Sequence, residues 1–324
     1  MRIGIPRALY YYNYSPFWIR FWETLGCEVV LSSESSKSIM DWGVAHAVDG
    51  TCLPVKVYYG HVYDLVTKNV DYIFVPQLIS VWKKEYICPK FMGLPDMVRW
   101  NIPNAPPILA PVIDGRKSGY QIFCAYIDLG RKFAPLYKVL QAYRNGLQAQ
   151  HQFEESLAQG VPLPTLLQGE KCQASNTPRL KLGLLGHEYL IYDKMISMGV
   201  FHYLQAHNCQ VLTSEQIKTS IIFQHSSKLP KRMFWTSGRQ ILGAAGHLCN
   251  QVDGLISLVA FGCGTDSLTT DLVQRYSRRQ DIPHLLLSLD EHTGEAGLIT
   301  RLEAFIDMLE RRILSEIDSS AHGE

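Results

Sequence analysis

Residues 2–31 read RIGIPRALYYYNYSPFWIRFWETLGCEVVL, and this stretch decides the fold class. Arg2–Ile5 is a short strand-forming run. Ser15-Pro16 supplies an N-cap and an N1 proline for a helix through Leu25, and Gly26 stops it. Glu28–Leu31 is a second strand. Strand, helix and strand in so short a span form the unit of a parallel sheet with covering helices.

Working outward, Ser36–Ala47 reads as a helix, and Pro54 opens another that runs to about Thr67. Asp71–Val75 is a buried-type strand, and Ile108–Val112 is a further candidate. Residues 134–158 are rich in Leu, Gln, Ala and Glu, which suits one long helix. Gly160–Arg179 then holds three prolines, two glycines and a polar run, the best domain boundary in the chain. After it the alternation restarts. Strand Leu180–Leu185 precedes a helix near Ile191–Ala206 and a strand at Gln210–Leu212. Helix Ser237–Leu248, strand Gly254–Val259, helix Ser267–Arg278, strand His284–Leu287 and helix Leu298–Leu314 complete the pattern. The expectation is an α/β protein of two Rossmann-like doubly wound domains, residues 1–165 and 166–324.

Composition narrows the classes. The chain has 324 residues, 47% of them apolar and 19% charged, ordinary for a protein with a substantial core. A formal net charge of +1 gives no nucleic-acid or membrane-surface footprint. The N-terminal stretch lacks the pattern of a signal peptide, and no run of apolar residues approaches the roughly 18 that span a bilayer. A soluble, cytoplasmic protein is expected, with its eight cysteines held as thiols or metal ligands.

No Cys-x-x-Cys occurs, so zinc ribbons, thioredoxin-type sites and bacterial ferredoxin motifs are unsupported. A metal centre would have to gather cysteines from distant loops. Cys52 lies just ahead of the Pro54 helix, Cys88 follows strand Asp71–Val75, and Cys263 follows strand Gly254–Val259 and precedes a helix. The last two come after the carboxyl ends of strands, where open α/β sheets bind ligands. Gly262 and Gly264 flank Cys263 and would let backbone N–H groups approach a sulfur-rich anion. Helix N-termini beside Cys52 and Cys263 favour thiolate. Pro89 after Cys88 matches the Cys-Pro ending of ferredoxin cluster motifs. The competing view is that cysteines are small buried hydrophobes, and this is the reading for Cys27, Cys124, Cys172, Cys209 and Cys249.

Around these residues the chain resembles the 2-hydroxyacyl-CoA dehydratase-related iron–sulfur proteins, in the acyl-CoA dehydratase activase-related branch that includes the double-cubane cluster proteins. The matching segments are Ile-Gly-Ile-Pro-Arg-Ala-Leu near the start, Cys52-Leu-Pro-Val-Lys-Val with Gly60-His61, and Cys88-Pro-Lys-Phe-Met-Gly-Leu-Pro-Asp. Further along come Leu-Gly-Leu-Leu-Gly-His187, Phe-Gly-Cys263-Gly-Thr-Asp-Ser, and Asp290-Glu-His-Thr-Gly-Glu-Ala-Gly with Thr300-Arg-Leu-Glu-Ala-Phe. The resemblance implies a cluster in the cleft between two Rossmann-like domains, with Cys52, Cys88 and Cys263 as its three ligands per subunit. It implies either a [4Fe-4S] cluster with one open iron or an [8Fe-9S] double-cubane shared across a homodimer. It also implies a separate ATP-hydrolysing activase that supplies low-potential electrons for reducing a small substrate. The chain has no Gly-x-x-x-x-Gly-Lys-Ser/Thr loop of its own, which makes it the electron acceptor. Glu188 and Thr265 depart from the family pattern, standing where proline is common.

Candidate acid/base groups are His61 on the Cys52 helix, His187 after strand Leu180–Leu185, and Glu291 and His292 after strand His284–Leu287. Against them stand packing, loop and helix-capping roles, with Asp290 or Thr293 as the cap. Gly183-Leu-Leu-Gly186 is half a dinucleotide fingerprint and lacks its third glycine. The cluster Tyr10-Tyr11-Tyr12 with Phe17 and Trp18 reads as core and interface. Two other functions fit the same cysteines: a non-catalytic electron-relay or assembly protein, and a zinc protein using three cysteines plus His61 or His187.

Overall fold

The computed structural model describes residues 1–171, 178–228 and 231–321. Ten strands occur among them. They are β1 (Arg2–Ile5), β2 (Glu28–Leu31), β3 (Tyr72–Phe74), β4 (Gln77–Ser80), β5 (Ile108–Leu109), β6 (Val112–Asp114), β7 (Leu180–Leu185), β8 (Cys209–Thr213), β9 (Gly254–Ala260) and β10 (His284–Leu289). All the pairings are parallel. The strand order is β2-β1-β3-β5 in one four-stranded sheet and β8-β7-β9-β10 in the other. Each sheet thus runs second, first, third, fourth in its own chain order. That places a topological switch point between β1 and β3, and another between β7 and β9.

The expected strand Ile108–Val112 is split, and β4 was not foreseen at all. Pro76 and Pro111 explain both. Neither ring nitrogen can donate, so the ladder through β3 and β5 breaks and resumes as the β4–β6 pair. Val75 N–H to the Leu109 carbonyl (2.9 Å) and Gln77 N–H to the Pro111 carbonyl (3.0 Å) carry the pairing across the gap.

The first helix spans Tyr11–Leu25, so Ser15-Pro16 lies inside it and not at its start. Burying Tyr11 and Tyr12 is worth about 1.5–3 kcal/mol each. Together they match or exceed the roughly 3 kcal/mol that an internal proline costs. The helix packs on Leu136–Ala158, and Trp18 Nε1 donates to Tyr126 Oη at 3.0 Å. Gly26 closes it in the left-handed conformation (φ 88°), as its sequence position implied.

The single helix expected over Ile191–Ala206 is three short ones, Glu188–Ile191, Lys194–Ser197 and Val200–Ala206. Asp193 accepts from the N–H groups of Met195 and Ile196 and starts a new helix. Met198 (φ 52°) and Gly199 (φ 72°) then turn the chain left-handed and end it. Helices Pro89–Asn101, Gly119–Gly130, Leu163–Gln168 and Thr219–Ser226 also lie outside the sequence-based reading. Leu163–Gln168 occupies the stretch read as a boundary and straddles the 165/166 division, while Cys172 lies outside the described residues. One apolar core extends from Ile3 and Trp22 in the first half to Leu184, Ile256 and Leu302 in the second. No helix among the described residues is long and apolar enough to cross a membrane.

Candidate metal centre

Cys52, Cys88 and Cys263 line one small cavity, together with His187, Tyr189 and Tyr10. The topology explains the convergence. Tyr10 follows β1 and Cys88 follows β4 in the first half, while His187 follows β7 and Cys263 follows β9 in the second. The cavity therefore sits where the carboxyl ends of both sheets meet at their switch points. Cys52 enters from the crossover between β2 and β3. Local pairing fixes the Cys88 segment against the second half: Tyr86 N–H donates to the Phe234 carbonyl (2.7 Å), and Thr236 N–H donates to the Tyr86 carbonyl (3.0 Å).

Each cysteine is the residue before a helix: Cys52 before Leu53–Thr67, Cys88 before Pro89–Asn101, and Cys263 before Gly264–Arg279. The positive ends of three helices of thirteen residues or more thus face the three sulfurs. The Val55 N–H donates to the Cys52 carbonyl at 3.0 Å, so it sits in the first turn beside the Cys52 sulfur. Gly262 lies in the left-handed region (φ 73°), which a side chain would strain, whereas a side chain at Gly264 would meet open space. Only the first of the two flanking glycines has a backbone reason to be glycine.

Burial pushes the Cys52 thiol up to about 11, with the neighbouring Cys263 and Cys88 sulfurs adding to the shift and Lys90 opposing it. Burial likewise raises Cys88, while the N–H of Lys90 pulls it back. Three crowded sulfurs resist carrying three negative charges alone. A bound cation removes that penalty, and binding would release the thiol protons. The donor set, its burial and the surrounding N–H groups fit a metal centre. Among the described residues, His187, Cys263 and Asp266 have donor atoms all within 4.8 Å of one another; the three sulfurs do not all share that spacing.

The structure separates the other candidates. His187 is in the cavity: its Nε2 lies 2.8 Å from Asp266 Oδ1, its ring stacks on Tyr189 at 4.7 Å, and it has a ring nitrogen within 4.8 Å of the Cys263 sulfur, which itself lies 3.3 Å from the Thr265 hydroxyl. Burial would lower its pKa, but the Asp266 carboxylate and Cys263 outweigh burial and raise it well above the ordinary range. His61 is elsewhere. It is fully buried, with Nδ1 2.8 Å from Ser32 Oγ and Nε2 2.8 Å from Ser35 Oγ, and Ser35 donates onward to Asp193. Burial drives its pKa down to about 3. Glu291 pairs with Lys56, one turn beyond Cys52, and that bond holds its carboxyl below the usual range. His292 is exposed, and its N–H donates to Asp290 Oδ1 (2.9 Å), which also accepts from Thr293.

Cys27, Cys209 and Cys249 are buried, and Cys124 lines a different cavity beside β5. None of the four borders the Cys52 cavity. Asp266 is the residue that sequence reasoning missed. It lies three positions after Cys263, but only folding sets it against His187, so no local pattern marks it.

A family model described as CoA enzyme activase uncharacterised domain (DUF2229) matches residues 2–217, well over half the chain. The matched region contains Cys52, Cys88 and His187 and ends before Cys263. No curated protein matches the chain.

Proposed function

We propose a redox role for this chain, which belongs to the CoA enzyme activase-related family. In this reading it takes part in the acyl-CoA dehydratase system as an iron–sulfur component, with a cluster held by Cys52, Cys88 and Cys263. A separate ATP-hydrolysing activase is its electron donor. The observation that carries the reading is the convergence of three cysteines from three separate segments on one cavity. Their spacing supports a centre of several metal atoms over a single zinc ion. Zinc–sulfur bonds of about 2.3 Å would draw tetrahedral ligands to within roughly 4 Å of each other. His61 is not available to such a zinc site, since both ring nitrogens already have hydroxyl partners.

When bound, the cluster would supply storage of one electron at a potential set by its charge, its hydrogen bonds and its burial. The chain's own groups act on each of these. The three helix N-termini favour negative charge at the sulfurs. His187, held by Asp266, stands beside Cys263, and the Thr265 hydroxyl lies 3.3 Å from the Cys263 sulfur. Tyr10, Phe91 and Tyr189 wall the cavity and limit water. The two-domain division at 165/166, the homodimer and a small substrate at an open iron belong to the same proposal.

Reconstitution under anaerobic conditions tests it. The proposal expects a brown protein with iron and sulfide in equal amounts, reduced by MgATP plus a dehydratase-type activase and not by activase alone. A colourless protein that takes up one zinc ion per chain would overturn it.

A further inference from the structure

Strand β5 ends its sheet, and among the described residues nothing pairs with its outer side. On the inner side the N–H groups of Ile73, Val75 and Gln77 donate to the carbonyls of Pro107 (3.2 Å), Leu109 (2.9 Å) and Pro111 (3.0 Å). Backbone polar groups alternate sides along a strand, so those of Ile108, Ala110 and Val112 point outward. Natural edges are usually blocked by charges or by a proline whose missing N–H faces solvent. Here Pro107 and Pro111 stand at inward positions and leave the outer row of donors intact. The side chains follow the same alternation. Leu109, Pro111 and Ile113 are buried, whereas Ile108 and Ala110 are half-buried and Val112 is 48% exposed.

Helix Gly119–Gly130 runs beside this edge and is almost wholly apolar. Asp128 is its only charged residue, yet only Tyr126, Leu129 and Gly130 are buried. A helix of that composition normally sits inside a core. Tyr120, Cys124 and Asp128, four positions apart, line the groove between helix and edge, and Tyr120 is 70% exposed. Asp128 and Lys132 are the only charges on the groove lining, and they have opposite signs.

We propose that this face joins two copies of the chain about a two-fold axis through Ala110, with β5 and its copy paired antiparallel. In an antiparallel pair, directly opposite residues exchange both of their bonds. Centring the pair on Ala110 sets Ile108 against Val112 of the second copy and uses every outward group. The same axis lays the two apolar helices side by side on one face of the joined sheet. A two-fold sets a patch against itself, and a lining that carries both Asp128 and Lys132 is self-complementary in charge.

This interface deepens the homodimer of the proposed function, and it bears on the metal centre, a step that rests on the cluster reading. Each cysteine cavity lies at the switch point between β1 and β3. Four strand spacings of about 4.8 Å then separate the two cavities across the joined sheet, roughly 19 Å in all. No sulfide bridges such a gap, so each copy holds a cluster of its own.

Light scattering on the purified full chain at micromolar concentration tests the interface. Wild type should show twice the 36.8 kDa of one chain. Ala110→Asp and Ala110→Lys put like charges opposite each other at the axis, and each should weaken self-association about a hundredfold. An equimolar mixture of the two should associate again, because only the mixed pair has opposite charges. Val112→Lys sets a charge against Ile108 of the second copy, should weaken association about tenfold, and carries the test if neither Ala110 variant folds. Monomeric Ala110→Asp should take up as much iron per chain as wild type. A monomeric wild type, charge variants that stay dimeric, or folded Ala110 variants that do not associate on mixing would each overturn the interface. Loss of iron on monomerisation would overturn the separate clusters. Iron absent from wild type as well would be the failure of the cluster reading alone, with the interface still decided by mass.

Discussion

Gly60→Ala should unfold this protein more easily, although alanine is the better helix former. Helices Lys37–His46 and Leu53–Thr67 cross at backbone contact. A Cβ built on Gly60 falls 1.9 Å from the Ile39 carbonyl oxygen, and one on Gly43 falls 2.0 Å from the Lys56 carbonyl oxygen. A carbon needs about 3.3–3.6 Å from such an oxygen, so the helices must part by roughly 1.5 Å. Alanine gains about 0.8–1.0 kcal/mol in helix propensity, whereas overpacking of this kind costs about 1–3 kcal/mol and occasionally more. With no flexible side chain to yield, the upper end applies, and a net loss of about 2 kcal/mol is expected. Gly93→Ala is the control. Gly93 is also helical, but its Cβ would meet only Met97 Sδ at 3.7 Å, so the propensity gain of up to about 1 kcal/mol should survive. Urea denaturation of the two variants should move the midpoint in opposite directions. Because Cys52 stands at the head of the displaced helix, Gly60→Ala should also retain less iron than Gly93→Ala. Equal or higher stability for Gly60→Ala, or parallel losses in both, would refute the reasoning.

Arg239→Leu should cost about 3 kcal/mol in urea denaturation, because it leaves the fully buried Glu85 carboxylate with only the longer 3.5 Å pair to Arg232. The double variant Glu85→Leu/Arg239→Leu should lose less than the single one, and additive losses would deny the coupling. His61 should make stability fall in acid. Its folded pKa of about 3 lies below its ordinary 6.5, so the unfolded chain takes up the proton first as pH drops below 6.5. The loss is about 1.4 kcal/mol per pH unit until the folded value is reached. Burial raises Glu215 to about 7, which works in the opposite direction between 4.5 and 7. The measurement is therefore the stability difference between wild type and His61→Asn across pH 4.5–7, and a difference independent of pH would count against a neutral His61.

The strand–helix alternation was readable because the first-half elements β1 and β2 and the second-half strands β7, β9 and β10 carry near-continuous apolar runs bounded by turn residues. The misses have local causes. Pro76 and Pro111 cut a ladder that looked like single strands. Helix Pro89–Asn101 contains Pro95 and Gly93, both of which argue against a helix from sequence alone. Asp193 and the Met198-Gly199 pair break a stretch whose apolar spacing suits one helix. The three cysteines that share the cavity were marked by their neighbours: a following helix for Cys52 and Cys263, a following proline for Cys88, and a preceding strand for Cys88 and Cys263. The partners of His61 and His187 were not. Ser32, Ser35 and Asp266 lie tens of residues away along the chain, and their placement depends on how the sheets pack.

The most direct test is iron and sulfide per chain after anaerobic reconstitution of five variants. Cys52→Ser, Cys88→Ser and Cys263→Ser should each lose most of their iron. Cys209→Ser and Cys249→Ser, whose thiols are buried elsewhere, should keep the wild-type amount. Equal iron in all five would contradict the assignment of the three cavity cysteines as ligands.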